Sequence, residues 1–380
     1  MTKPIAVVMA DSHLTTSTLA EGRLKDDGFF SLHQAIDLAI RLNVGVIGAG
    51  DLLDDDVNVS KTVEVMVTEL GRLKAAGLPM WFIQGQHEMG PGELSGIPWF
   101  GIGGLAQHVD RKCFSIAGHR FYGLDFRHRE PLLKELERFT VIGTDVLIMH
   151  QVWGDWMLDE ANPQADFVEV PQVPLLLTGD YHKRVEMWYP SEDSLPRMKI
   201  VSTGSMCAQK IDEDWDKYVA ILNDDLSITW HQLKVRPRLQ DVVVKDEDQL
   251  AQLADRFNVI YQKTMDEAGD LSSYPESVRR PVWRVICDPS VADVERRVSR
   301  WCRNHVHLYV KLLGASRGKV DDQHIKPLVT ELPTLESKAA SHFSGNPEAA
   351  ALAQRLLSTT QPLEVEIAAW LDETPAGGAT

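Results

Sequence analysis

Ile5 to His13, read as IAVVMADSH, is the stretch that most constrains this chain. An apolar run with β-branched residues reads as a buried strand. Asp11 and His13 then stand just past its end, in a loop at the carboxyl edge of a sheet. Residues i and i+2 leaving a strand can point to one side, so a carboxylate and an imidazole can meet a single cation. One D-x-H is as often an ordinary strand-to-loop turn. Here the same grammar recurs four times. VGVIGAGD ends in Gly50-Asp51, and PMWFIQGQHE ends in Gly85-Gln86-His87-Glu88. TDVLIMHQ carries His150, and VPLLLTGDYH ends in Gly179-Asp180-Tyr181-His182. Five such strand ends in one order point to a dinuclear metal site.

The segments between them alternate with the strands. Residues 28–42 carry Phe29, Leu32, Ile36 and Ile40 at helical spacing, and a second helix is expected from about Ser60 to Ala76. Strand, helix, strand, with an acid at each strand end, is a βαβ unit. In open α/β sheets ligands gather outside the carboxyl ends of the strands. Residues 108–126 read as short antiparallel strands, and Arg129 to Phe139 as a helix. MKIVSTGS and DKYVAILNDDLSITWHQL read as further strands, the latter with a hairpin turn at Asn223-Asp224-Asp225. Asp51 begins a run of four acids in six residues. Such a run is usually a solvated, self-repelling loop, and a nearby cation would relieve the repulsion.

Composition narrows the class. A charged fraction of 25% and a hydrophobic fraction of 44% over 380 residues are those of a soluble globular protein of two or three domains. No apolar run approaches ~18 residues, so no membrane span is expected. The opening MTKPIAVV has neither a charged leader nor a cleavage site, so no signal peptide is expected. Cys113, Cys207, Cys287 and Cys302 lack metal-binding spacing and read as reduced thiols of a cytoplasmic protein. The net charge of -16 excludes an all-over basic nucleic-acid binder. From Arg279 to Lys319, however, ten Lys and Arg stand against three acids, a local surplus that points to an anionic partner. There is no GxxxxGK[ST], so the chain carries no ATPase motor of its own.

The order D-x-H, G-D-x-x-D, G-Q-H-E, H, G-D-x-H resembles the signature of the calcineurin-like metallophosphoesterases. Within that superfamily the chain resembles the SbcD type, the nuclease subunit of the SbcCD double-strand-break repair complex of bacteria and phages. DSHL, GDLLD, GQHE, LIMHQ and GDYHK carry the resemblance, with the STGS loop and the strand ending LKVRP, over about residues 1–238. It implies an α/β fold: a two-sheet αββα sandwich, an appended α+β capping domain at 239–320, and C-terminal helices in 321–380. It implies that Asp11, His13, Asp51 and His182 hold one metal, and that Asp51, Gln86, His150 and Asp180 hold a second. His87 would be proton donor or transition-state stabiliser, oriented by Asp54. Two divalent cations would be the cofactor, with manganese implied and magnesium a weaker substitute. Carboxylate and imidazole ligands alone do not choose among such ions. Two positions depart from the pattern. Gln86 stands where the family has Asn, and Asp180 where it has His. Both put the metal preference in question.

The C-terminal third reads as a linker and helix over 239–268, a strand at Pro281 to Asp288, a helix over 290–303 and a strand HVHLYVKLL. In the helix Val291, Val294, Val298 and Trp301 form one face, and Arg296, Arg297, Arg300 and Arg303 the other. The arginines are either a solvated face or contacts to DNA phosphates, which position a duplex without reading it. Short helices are expected at Pro347–Leu357 and Leu363–Leu371. By resemblance they would bind the coiled coil of an SbcC-like ATPase through Leu352, Leu356, Leu357, Ile367 and Trp370, or pack back on their own domain. A homodimer is implied on the same ground. The expected activity is manganese-dependent hydrolysis of DNA, as a 3′-to-5′ double-strand exonuclease and single-strand endonuclease. The rivals are a phosphodiesterase for small molecules or RNA, and a non-catalytic scaffold for a repair ATPase.

Overall fold

Alternation along β1 (Pro4–Met9) decides the architecture. Ala6 and Val8 face one way, into a core shared with a second sheet; Val7 and Met9 face the other way, onto helices. A strand buried on both faces is the centre of a layered structure. The computed structural model describes residues 2–15, 24–54, 59–89, 104–139, 143–156, 163–190, 197–302 and 305–313. These residues belong to one compact unit, Met1–Gly314. The expected C-terminal helices at 347–357 and 363–371 lie outside them.

The first sheet has six strands. In sequence they are β1, β2 (Gly45–Ala49), β3 (Met80–Ile83), β4 (Gln107–His108), β11 (Tyr218–Asn223) and β12 (Ile228–Gln232), and in space β12-β11-β1-β2-β3-β4. β1, β2, β3 and β4 run parallel, and β11 joins β1 antiparallel. α1 (Asp27–Leu42) and α2 (Val59–Ala75) cover its outer face with Leu32, Ala35, Ile36, Met66, Leu70 and Leu73.

The second sheet, in the order β5-β6-β7-β8-β10-β9, also has six strands. They are β5 (Cys113–Ile116), β6 (His119–Leu124), β7 (Val146–His150), β8 (Leu175–Gly179), β9 (Val185–Tyr189) and β10 (Met198–Ser202). Val146, Ile148, Leu175, Leu177 and Val201 meet Ala6, Val8 and Ile47 between the sheets. Leu147, Met149 and Leu176 face outward beneath Leu132 and Leu136 of α3 (Arg129–Arg138). The result is the expected αββα sandwich. β9 is an edge strand that was not among the expected elements.

The C-terminal third departs from expectation at one place. Residues 238–244 are not a linker. They form β13 (Arg238–Val244), which pairs in parallel with β14 (Val282–Cys287), itself parallel to β15 (His307–Leu312). Three consecutive valines, Val242 to Val244, favour an extended chain, and pairing partners about 40 residues downstream cannot be seen locally. α4 (Glu247–Ala268) and α6 (Val294–Cys302) make the two crossovers, and the short α5 (Glu276–Arg279) precedes β14. This βαβαβ module has its own core, built on Leu239, Leu250, Phe257, Trp283, Val285 and Val298. Among the described residues no helix is long and apolar enough to cross a membrane.

The module is joined to the sandwich by a buried ion pair. Arg236 donates from Nε to Asp27 Oδ1 at 3.0 Å and from Nη2 to Asp27 Oδ2 at 2.7 Å, and from Nη1 to the Arg280 carbonyl at 2.8 Å. Phe30, Tyr274 and Val278 pack beside it. A guanidinium this deep depends on its carboxylate. Asp27→Ala is therefore expected to lower stability by about 3–5 kcal/mol. Urea unfolding monitored by tryptophan fluorescence checks this, as a lower midpoint with an unchanged slope.

Candidate metal centre

The carboxyl ends of the central strands of both sheets meet at one place. Main-chain bonds set the alignment. Asp11 N donates to the Gly50 carbonyl at 3.1 Å, and His13 N to the Asp51 carbonyl at 3.0 Å. Two bonds then cross between the sheets. His150 Nδ1 lies 2.8 Å from the Ala49 carbonyl, and Asp180 N donates to Asp11 Oδ1 at 2.9 Å. The backbone is forced into the left-handed region at Asp11 (φ 49°), His13 (φ 40°), Asp51 (φ 48°) and Asp180 (φ 80°). Asp and His tolerate this region better than bulkier residues, and such strain collects where function holds it. Glycines make the close approach possible. A Cβ on Gly50 or Gly179 would overlap the His150 ring, and one on Gly85 would overlap the Asp51 carboxylate.

The side chains converge accordingly. Asp51 Oδ2 lies 3.1 Å from His150 Nε2, 3.9 Å from His13 Nε2 and 3.8 Å from His87 Nε2. His150 Nε2 is 3.9 Å from Asp11 Oδ1, and His13 Nε2 is 3.1 Å from His182 Nε2. Ligand-type atoms of Asp11, His13 and His182 lie within 4.8 Å of one another; so do those of Asp11, Asp51 and His150, and those of His13, Asp54 and His87. Asp11, Asp51 and His150 are fully buried.

These groups are electrostatically unfinished. Asp11 Oδ2, Asp51 Oδ2 and His150 Nε2 are buried without a hydrogen-bond partner, and such groups are costly unless something pairs with them. With Nδ1 committed to the Ala49 carbonyl, His150 turns Nε2 toward carboxylate oxygens. Burial alone would strip charge from this imidazole, yet Asp51, Asp11 and Asp180 outweigh it and raise its pKa well above the ordinary value. Burial pushes the Asp11 carboxyl up to about 6 and holds His13 down to about 4. At Asp51 burial opposes the charge, but His150 and His13 prevail and its pKa falls below the usual carboxylate range. The site demands positive charge where three carboxylates meet. A proton on His150 supplies one. Divalent cations on this oxygen and nitrogen donor set would supply more, so the residues fit the metal expected of them.

The expected site residues divide between a cleft and a helix elsewhere on the chain. Gln86, His87 and Asp54 line a cleft of about 680 Å³ together with His13, Asp180 and His182. His87 Nδ1 is 3.5 Å from Asp54 Oδ1, and the His87 ring is edge-on to His13 with centroids 4.7 Å apart. The Arg cluster is on α6 and is not part of this cleft. Arg296 and Arg300 are exposed, Arg297 pairs with Glu247 at 2.5 Å, and Arg303 lies outside the described residues.

Two further carboxylates, to which the sequence assigns no role, support the site. Glu88 turns away from the cleft and is buried. Its Oε2 accepts from Asp51 N at 3.0 Å and Gly85 N at 2.7 Å, and its Oε1 accepts from Leu53 N at 2.8 Å. One side chain thus ties the Asp51 loop to the Gly85-Gln86-His87 turn. Burial, then the charge of Asp51, pushes its pKa up to about 7. Its position directly after His87 is the available signal. Glu213, beside His182, lies in an acidic stretch with no such signal. Removing Glu88 orphans three buried N–H groups, at roughly 1–3 kcal/mol each. Glu88→Ala is expected to cost on the order of 3 kcal/mol or more in chemical unfolding.

Known proteins share parts of this pattern. The chain is 26% identical over 187 residues to the DNA double-strand break repair protein Mre11 of Methanosarcina acetivorans, covering 46% of this chain and 30% of the relative. It is 35% identical over 89 residues to the protein of that name from Sulfurisphaera tokodaii, covering 23% of each chain. The chain therefore spans less than a third of the length of these curated relatives. No family model matches it. The similarity is to Mre11 proteins, and it is weak and partial.

Proposed function

We propose that this chain is a divalent-metal-dependent DNA nuclease of SbcD type, a double-strand exonuclease of 3′-to-5′ polarity with single-strand endonuclease activity. The observation that carries the reading is the meeting of Asp11, Asp51 and His150, each with one buried polar atom (Oδ2, Oδ2 and Nε2) that has no hydrogen-bond partner, next to His13 and His182, which line an open cleft. The Mre11 relatives support it, since Mre11 and SbcD share the calcineurin-like phosphoesterase superfamily. In this reading Asp11, His13, Asp51 and His182 hold one cation, and Asp51, Gln86, His150 and Asp180 the other. Manganese is the preferred ion. Two such cations would neutralise phosphoryl oxygens and lower the pKa of the attacking water.

The protein's own groups supply the rest. Asp51 presents its Oδ2 between His13 and His150, where it would serve as the shared ligand. His87, about a quarter exposed, faces the cleft while Asp54 stands at its Nδ1. A proton carried by this ring would be donated to the departing 3′ oxygen. Lys183 and Lys210 on the cleft lining would receive the phosphate backbone. The βαβαβ module at 238–313 would act as the cap over the duplex, with Arg296 and Arg300 against its phosphates. An SbcC-like coiled-coil ATPase, docked on the helices expected at 347–357 and 363–371, and a second copy of the chain would complete the assembly.

The test is digestion of end-labelled linear duplex against closed circular duplex, with manganese, with and without chelator. Chelator-sensitive loss of the linear form is expected. His87→Ala should slow it by about 10²–10⁴-fold, and Asp51→Ala should abolish it. Activity on a small phosphodiester but on neither DNA would replace this reading with the small-molecule one. A separate outcome concerns the module. Replacing Arg296 and Arg300 by Ala should weaken duplex binding uniformly across sequences. It should also lower the slope of log affinity against log salt by about 1 for each phosphate that is no longer neutralised. Fluorescence anisotropy across a salt series measures it.

A further inference from the structure

His182 is held from behind by a group outside all five strand ends. Its Nδ1 lies 3.3 Å from Glu213 Oε1, while its Nε2 faces His13 Nε2 on the other side of the ring. Glu213 is itself anchored. Its Oε2 accepts from Gln209 N at 3.0 Å, from Lys217 Nζ at 3.2 Å and from Ser205 Oγ at 3.4 Å. Lys217 is buried, and its Nζ donates also to Ser205 Oγ at 2.8 Å. A buried ammonium persists only with such partners. The main chain of Glu213 is fixed as well. Its carbonyl accepts from Arg238 Nη1 at 3.4 Å, and the Arg238 guanidinium lies over the Trp215 ring at 5.2 Å.

We propose that Glu213 is a positioning residue that fixes the His182 ring with Nδ1 protonated and the Nε2 lone pair turned into the metal centre. Both Glu213 oxygens are already committed, Oε2 to three donors and Oε1 to His182, so the residue acts through the histidine and not as a ligand. His150 and His182 are then held by different means. His150 leans on a neutral main-chain carbonyl. His182 leans on a carboxylate backed by a buried ammonium. A charged partner makes an imidazole a stronger donor, and outer partners of this kind typically change metal affinity about 10–100-fold. Glu213 thus raises affinity at the His182 subsite selectively. Because Arg238 is the first residue of β13, the brace also connects the C-terminal module to this ligand.

The effect on metal rests on the reading of the site as a metal centre; the effect on the ring does not. Two measurements separate them. The first is the tautomer of His182 in metal-free protein, from long-range ¹H–¹⁵N spectra recorded at rising pH until the ring is neutral. Wild type is expected to show Nδ1–H, and Glu213→Ala a mixture with Nε2–H. The double variant Glu213→Ala/Lys217→Met guards against misfolding from an unpaired ammonium, and should show the same mixture. The second is calorimetric titration with manganese. One binding event in Glu213→Gln is expected to weaken about 10–100-fold, with the other unchanged and thermal unfolding of the metal-free protein little moved. An unchanged tautomer, or two unchanged binding events, overturns the proposal. A wild-type protein that binds no manganese while its tautomer still depends on Glu213 overturns the metal centre and upholds the positioning role.

Discussion

The structure depends on keeping like charges together out of water. Asp11, Asp51 and Asp180 come from strands of two different sheets and end at one point, with Asp11 and Asp51 fully buried. Carboxylates so placed repel one another and give up their hydration. The protein answers with imidazoles from both sheets, with N–H groups such as Asp180 N and His87 N aimed at carboxylate oxygens, and with donor atoms left open for a cation. Each of these devices needs the two sheets in fixed register. The sandwich core of Ala6, Val8, Ile148, Leu175 and Leu177 supplies it.

That core also sustains the local strain. Residues held in the left-handed region cost of order 1–3 kcal/mol each, and Asp11, His13, Asp51 and Asp180 are all held there. A loop on its own would relax. Here each strained residue follows a buried strand and is clamped by a main-chain or carboxylate partner, as Glu88 clamps Asp51 and Gly85. The positions of these side chains are thus fixed by the fold itself, which leaves the site little reorganisation to perform.

The C-terminal module has its own core but is tied to the sandwich at two charged points. Arg236 reaches Asp27 at the start of α1, and Arg238, two residues later, reaches the Glu213 loop behind His182. Two neighbouring arginines at the entrance to β13 therefore connect the module both to the scaffold and to the loop behind His182.

The sequence alone determined the strands and what stood at their ends. Apolar runs such as VLIMH and LLLTG are visible because burial on two faces demands them, and Asp or His directly after such a run is visible because nothing in packing asks for it. The glycines at 50, 85 and 179 are legible as turns; that each makes room for the side chain of His150 or Asp51 is not. Glu88 stands out in the sequence beside His87, yet its direction is not legible, since direction after a turn depends on φ and not on spacing. β13 reads locally as a linker because its valines gain a strand's stability only from β14, about 40 residues on. Only the tertiary structure decided the cross-sheet contacts of His150 with Ala49 and of Asp180 with Asp11, and the brace of Glu213 on His182, which joins residues 31 positions apart. Such contacts are fixed by how two sheets and a loop pack against each other, and a local pattern carries no record of that.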